Sequence, residues 1–479
     1  MHMISFRLIV AIVILVLLAT GLYNTLKPLP AGLSKSAPAR ALYDARLIAD
    51  VTWRNANGER MQSHGIFDEV FRLIGQARKL IVVDMFLFND SAQDASFEPL
   101  AEKLTTALIR RHQKIPGLMV VVITDPLNTV YGGLEQTHFK RLRDAGITLV
   151  ETDLRPLRDP NPAWSAIWRW CCQWFGNNPG GGWLPNAFGE GKVTLRSYLA
   201  LPNFKANHRK TLVVDEGDQL RGLITSANPH AGSSRHWNTA ITFTGAAAYD
   251  LLSTEEAVMT LSGVPVPAWP LPETAVTRDQ GGELQGQVLT ESAIREAALN
   301  LVRLAGPDDH IDMAMFYLSH RATVKALKDA HRRGARLRIL LDQNQDAFGH
   351  DKNGIPNRQV AFELKQAGID VRWCNTAGEQ CHNKLLMLRP VSGDSRLLVG
   401  SANLTRRNID DYNLETSMLA TGAGTTPVIA TATQLFDRLW QSGPGSTPVF
   451  SLPYEENPDE SRLQYWRYRF MEATGLSTF

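Results

Sequence analysis

The sequence predicts an α/β protein of two similar halves, each a mixed β-sheet flanked by helices. The halves pack about a pseudo-twofold, behind an N-terminal transmembrane helix. Three observations predict this. Strand and helix patterns alternate, then recur in the same order later in the chain. A four-part polar pattern is written twice at nearly constant offset. The stretch 4–23 is almost wholly apolar.

At 479 residues there is room for two domains of ordinary size. The composition, 44% hydrophobic and 20% charged, is that of a globular protein. A net charge of +2 provides no overall basic field, which argues against a dedicated DNA-binding protein but leaves room for a local basic cleft.

Taken in order, the uncharged run from Leu8 to Tyr23 is 16 residues, with Arg7 before it. It reads as an uncleaved anchor, with a cleaved signal as the alternative. Residues 24–42 read as a tether holding the body off the bilayer. The first half is expected over 43–263. Leu80 to Phe88 is a continuous apolar run and hence a buried strand. A helix follows at 97–113, a strand at Leu118 to Thr124, a helix at 134–145 and a strand at Ile147 to Val150. The order recurs with a strand at Ile311 to Tyr317, a helix at 321–333 and a strand at Leu337 to Asp342. Met85-Phe86 is echoed by Met315-Phe316, and Ala145-Gly146-Ile147 by Ala367-Gly368-Ile369. A Pro-rich junction lies at 264–286, the second half at 287–441 and a tail at 442–479.

The offset between halves is 222 at Ala145/Ala367 but 174 at the paired motifs, so the first half carries 48 extra residues. They map to 153–202, which holds five of the 11 Trp. Trp favours the headgroup zone of a bilayer, so this insert reads as an interfacial element beside the site; a Trp-rich satellite core is the other reading.

The repeated pattern is His208-Arg209-Lys210 with Asp215, and His382-Asn383-Lys384 with Arg389 where Asp is expected. Each is followed by Ser-Ala-Asn, at Ser226 to Asn228 and Ser401 to Asn403. A lone H-x-K is usually a pair of solvated side chains; two copies with matched partners are not. On these residues the chain resembles the phospholipase D superfamily, over roughly 60–440, and most of all its cardiolipin synthase-like branch. The resemblance implies that the two motifs meet at one site. One imidazole attacks a phosphodiester and the other is general acid, then base; it suggests His208 and His382 in those roles. Lys210 and Lys384 would hold phosphoryl oxygens, with Ser226, Asn228, Ser401 and Asn403 as neutral donors. Asp215 belongs to the catalytic motif, although five residues beyond Lys210 on a strand it faces away. Glu415 matches the family's His-orienting Glu. The aligned place in the first half, near Asn238, has no carboxylate, so the two histidines are expected to be supported unequally. His230 and His236 read as ordinary loop histidines.

Neutral imidazole is a competent nucleophile at phosphorus, and fixed cations stabilise the charge that redistributes over its oxygens. No metal or other cofactor is implied. The expected partners are a phospholipid substrate and a bilayer, with one chain holding both motifs and acting as a monomer. The expected location is the inner membrane, single-pass, with the catalytic part facing the periplasm. Hydrolysis and transfer stay open. A nuclease on single-stranded nucleic acid is the alternative, with Arg196, Lys205, Arg209 and Arg221 as its cations; a catalytically inactive lipid-binding protein is the third reading. Cys374 and Cys381 fit either a small disulfide loop or two free thiols, and a vicinal Cys171–Cys172 bond would be rare and strained.

Overall fold

The computed structural model describes residues 2–90, 97–271, 282–344, 346–347, 350–351, 354–441, 448–477 and 479. Part of the Pro-rich junction, 272–281, and of the tail, 442–447, lies outside the described residues.

The first half is built on β1 (Tyr43–Arg54), β2 (Arg60–Ser63), β3 (Leu80–Met85), β4 (Met119–Thr124), β5 (Thr148–Glu151), β6 (Lys210–Glu216), β7 (Gln219–Thr225) and β8 (Asn238–Thr244). The second half uses β9 (Leu284–Thr290), β10 (His310–Met315), β11 (Arg336–Leu341), β12 (Asp370–Cys374), β13 (Lys384–Arg389), β14 (Ser395–Gly400) and β15 (Thr416–Gly422). Leaving out edge strands, the first sheet runs β1-β8-β7-β6-β3-β4-β5 and the second β9-β15-β14-β13-β10-β11-β12. These are the same seven-strand order. The pairings match too: β3, β4 and β5 are parallel, as are β10, β11 and β12, and the rest are antiparallel. Even the register repeats, with Met85 opposite Lys210 and Met315 opposite Lys384. The duplication read from the sequence is therefore a duplicated mixed sheet.

The central strands are apolar on both faces because helices cover them. One cluster of core residues draws on both halves, including Val213, Leu220 and Ile241 with Leu385, Met387 and Val399. Two further clusters lie on the outer faces, one per half. The halves thus share a core, which fixes their relative placement. Residues Arg40–Ala41 add to this by pairing with β9 of the opposite half.

The helix α1 (His2–Leu26) contains a stretch, Phe6–Leu26, of 21 residues with mean hydropathy 2.5. It is long and apolar enough to cross a bilayer, about 30 Å at 1.5 Å per residue. The expected free tether after it is corrected. Asn24 O accepts from Asp159 N (3.0 Å), Ser34 N donates to Glu291 (2.6 Å) and Ala37 N donates to Val288 O (3.0 Å). These backbone groups find partners on the body, so the body sits directly at the end of α1.

The insert begins with α2 (Pro162–Cys171), capped by the Asn161 side chain. It packs on α1, where Gly21 meets Pro162 and Ala166 and the Trp170 indole N–H donates to Thr20 Oγ1 (2.9 Å). The Trp residues of the insert divide between buried and exposed. Trp168 is buried, while Trp170, Trp174, Phe175 and Trp183 are exposed. Cys171–Cys172 and Cys374–Cys381 are both disulfide-bonded.

Candidate active site

The motif histidines lie just before regular strand, and Lys210 and Lys384 open β6 and β13. The chain leaves the sheets just before β6 and β13, and Asn207 and Cys381 make bridges to Leu414 and Trp237 of the opposite half. His208 N donates to Leu414 O (2.8 Å), and Trp237 N donates to Gln380 O (2.9 Å). Each Lys opens a strand, and its ammonium curls back to the carbonyl of its own His: Lys210 Nζ to His208 O at 2.7 Å and Lys384 Nζ to His382 O at 3.0 Å.

Each imidazole is completed by the other half. His208 Nδ1 lies 2.8 Å from Glu415 Oε1, and His382 Nδ1 lies 3.1 Å from Asn238 Oδ1. Glu415 immediately precedes β15, and Asn238 opens β8, so the two orienting groups occupy equivalent places in the repeat. With Nδ1 engaged, Nε2 is the atom each ring has left for chemistry. Phe86 packs on His208 and Phe316 on His382, at centroid distances of 4.7 and 4.9 Å. The same rings lie beneath Lys210 and Lys384, at 5.1 and 5.2 Å.

The electrostatics treat the four groups as one cluster. Burial pushes His208 down to about 4, against the pull of Glu415, and the positive charges of Lys210 and Lys384 push the same way. His382 is held well below 6.5 by burial, then by Lys384, His236, Lys210 and His208. Lys210 is lowered by burial to about 7, and Lys384 well below its ordinary value by burial and by Lys210. Burial acts to raise Glu415, but His208, Lys210 and the Ser401 hydroxyl outweigh it and hold the carboxyl low. Two neutral imidazoles and a cationic cradle of reduced basicity are poised for an anionic phosphodiester, whose charge would restore the lysine protons.

Some expected residues stand elsewhere. Asp215, grouped with the catalytic residues, is corrected: its carboxylate accepts from the backbone N–H of Arg78, Lys79 and Leu80 at 2.8–3.1 Å and caps the start of β3. Arg389, at the matching place, pairs with buried Asp312 at 2.7 Å. Ser226 and Ser401 turn their hydroxyls to the orienting groups. The Ser226 hydroxyl donates to Asn238 Oδ1 (3.0 Å), and the Ser401 hydroxyl donates to Glu415. They hold the groups that hold the histidines. Asn228 Oδ1 accepts from Leu87 N (3.2 Å), and Asn403 Oδ1 is buried with no hydrogen-bond partner among the described residues. His236, read as an ordinary loop histidine, sits 6.0 Å from the His382 ring and accepts from Gln380 N through Nδ1. Phe86, Phe316 and Asn238 went unassigned; the repeated Met-Phe pair and the aligned place of Asn238 were the signals for them.

Residues 301–440 match the family model described as cardiolipin synthase, PLD-like domain. A mitochondrial cardiolipin hydrolase of Chlamydomonas reinhardtii is 29% identical over 131 residues, covering 27% of this chain and 51% of that protein. One from Xenopus laevis is 27% identical over 157 residues, 33% of this chain and 66% of its own length. The chain thus spans half to just under two thirds of the curated relatives it matches. The crystal structure of phosphatidylserine synthase from Haemophilus influenzae Rd KW20 is similar over 92% of this chain and 96% of its own, with TM-score 0.56 and 13% identity. At that identity the likeness is one of fold. Residues 301–440 are similar to a phospholipase D-like domain of the cardiolipin synthase kind, and the fold along the chain is similar to that of the Haemophilus influenzae protein.

Proposed function

We propose that this protein is a membrane-anchored phosphodiesterase or phosphatidyltransferase. It cleaves the headgroup bond of a glycerophospholipid through a phosphohistidine. The observation that carries the reading is the crossed pairing of each motif histidine with an orienting group from the opposite half.

His208 is the nucleophile because its Nδ1–H is held by a carboxylate. Attack by Nε2 makes the ring cationic, and Glu415 stabilises that charge. The charge of the bound anionic phosphodiester first draws a proton onto His382 Nε2. As the P–N bond forms, the P–O bond to the headgroup breaks, and His382 gives that Nε2 proton to the leaving alkoxide and returns to neutral imidazole. His382 then takes a proton from water or an alcohol whose oxygen attacks phosphorus, and the P–N bond breaks. Lys210 and Lys384 stabilise the phosphoryl oxygens throughout. Water as acceptor gives hydrolysis; an alcohol such as phosphatidylglycerol gives transfer. The relatives named cardiolipin hydrolase and phosphatidylserine synthase are consistent with a phospholipid substrate.

A single-pass anchor in the inner membrane with the catalytic part in the periplasm fits α1 and the two disulfides, which persist in oxidising compartments. The exposed aromatic side chains of the insert, of which Trp170 bonds Thr20 of α1, fit contact with headgroups. The cations named for a nuclease are engaged: Lys205 with Asp159, Arg209 with Glu291, Arg221 with Glu216, and Arg196 with Phe175 O. The test is purified full-length protein incubated with phosphatidylglycerol vesicles and, separately, with single-stranded DNA. Headgroup release that disappears in His208→Ala is expected; nucleotide release without lipid turnover would overturn the reading.

A further inference from the structure

The anchor, the insert and the C-terminus converge at one place. The final helix α6 (Arg462–Thr474) ends at Gly475, whose φ is 74°. A Cβ there would lie 1.7 Å from the Pro160 carbonyl oxygen, so only glycine fits. Pro160 follows Asp159, whose N–H is bonded to Asn24 near the end of α1. The C-terminal end of α6 is therefore held at the level where α1 leaves the apolar zone. Trp466, Phe470 and Leu476 are exposed on this segment.

Beside it is a cavity of about 190 Å³, lined by His320, Arg321, Arg406, Asp410, Arg469, Glu472 and Ala473. His320 and Arg321 stand at the start of α4 (Arg321–Arg332). Its charges cancel only in part internally: His320 Nε2 lies 3.5 Å from Asp410 Oδ1. Arg321 is paired with Glu363 (2.8 Å), and Asp410 with Arg295 (2.7 Å), both outside the lining. Glu472 is raised by burial and takes the Ser319 hydroxyl (2.7 Å) and the Arg406 N–H (3.3 Å). The guanidiniums of Arg406 and Arg469 bond only neutral hydroxyls, of Tyr412 (2.8 Å) and Tyr465 (2.9 Å), with no ion pair among the described residues. Two planar forks face a cavity large enough for a phosphate group and too small for acyl chains. Guanidinium is the side chain best matched to phosphate oxygens.

We propose that this cavity is a second lipid site: it holds the phosphodiester headgroup of an anionic phospholipid other than the reacting one. The proposal rests on the anchoring by α1 but not on the phosphohistidine chemistry. The acyl chains would run past the exposed face of α6 and the insert into the bilayer, seating the body on the anionic surface.

The test uses full-length protein in neutral detergent, carrying His208→Ala so that lipid is not consumed. Binding of dihexanoyl phosphatidylglycerol is measured by calorimetry. Arg406→Gln/Arg469→Gln is expected to weaken this binding at least tenfold, and Arg406→Lys/Arg469→Lys less than threefold. Lys210→Ala/Lys384→Ala should leave the Arg-dependent component in place. Arg469→Gln alone loses only the Tyr465 contact, so it should fold, and it is expected to weaken binding at least threefold. Binding indifferent to Arg469→Gln overturns the site. Competition by inorganic phosphate at equal concentration overturns the lipid as its source. Failure of the catalytic reading would appear instead as absent headgroup release with this binding intact.

Discussion

The two halves repeat strand for strand, yet one supplies a carboxylate to its partner's imidazole and the other supplies an amide. Glu415 crosses to His208; Asn238 crosses to His382. The surrounding apparatus stays symmetric: Ser226 and Ser401 behind the orienting groups, Phe86 and Phe316 against the rings, each Lys on its own His carbonyl. On the proposed mechanism, one changed side chain in a duplicated frame separates two chemical jobs. A ring beside a carboxylate tolerates positive charge and suits the covalent intermediate. A ring beside a neutral amide, among two lysines, gives up its proton readily.

The largest expected effect tests that separation. His208→Asn should lose at least about a thousandfold in kcat, as removal of a covalent nucleophile does, and form no trapped phosphatidyl-enzyme. His382→Asn should be comparably slow but should accumulate the covalent adduct, detectable by mass spectrometry after acid quench. Adduct in the first variant and none in the second would reverse the roles.

The next effect is on the orienting pair. Glu415→Gln makes the two sides alike and should cost roughly a hundredfold in kcat, because the cationic intermediate loses its counter-charge. Asn238→Asp makes them alike in the other direction. It should change kcat less than about tenfold while raising the His382 pKa, moving the acid limb of the profile upward. Equal losses from both changes would break the comparison.

The lysines provide a pH test. Burial holds Lys210 at about 7 in the free enzyme, so its cation is present below that value and lost above it. kcat/KM reports the free enzyme, so for an anionic substrate it should fall about tenfold per unit above pH 7. kcat should be flatter, since bound phosphate restores the proton. Lys210→Arg, which stays charged, should remove the limb. A kcat/KM profile flat to pH 9 would contradict the lowered lysine.

Much of this was legible because it was written twice. The H-x-K pairs, the Ser-Ala-Asn repeats, Glu415 and the missing carboxylate at Asn238 all stand out when the halves are aligned. What alignment does not carry is direction. Nothing along the chain says that Glu415 serves the His of the opposite half; that follows from the bridges at Asn207 and Cys381, which need both sheets in place. The partners of the serines were not legible for a related reason. A hydroxyl near a phosphate site reads as a donor to phosphate until a buried carboxylate is found in front of it. The tether was misread because composition reports flexibility but not available partners, and Glu291 and β9 supply them.

The smallest expected effect on turnover concerns the other departure between the halves. Asp215 accepts three backbone N–H groups at the start of β3, while Arg389 at the matching place pairs with Asp312. Asp215→Ala strands three amides in a buried strand entry, which costs roughly 2–3 kcal/mol of stability. Arg389→Ala should cost about 1 kcal/mol or less for a partly exposed pair, because Arg338 also holds Asp312 at 2.7 Å. Chemical denaturation measures both, and kcat should stay within about twofold in each, since neither side chain reaches the histidines. If Asp215→Ala instead lost kcat more than tenfold with stability intact, the aspartate of the motif would belong to the chemistry, and the capping of β3 would be incidental.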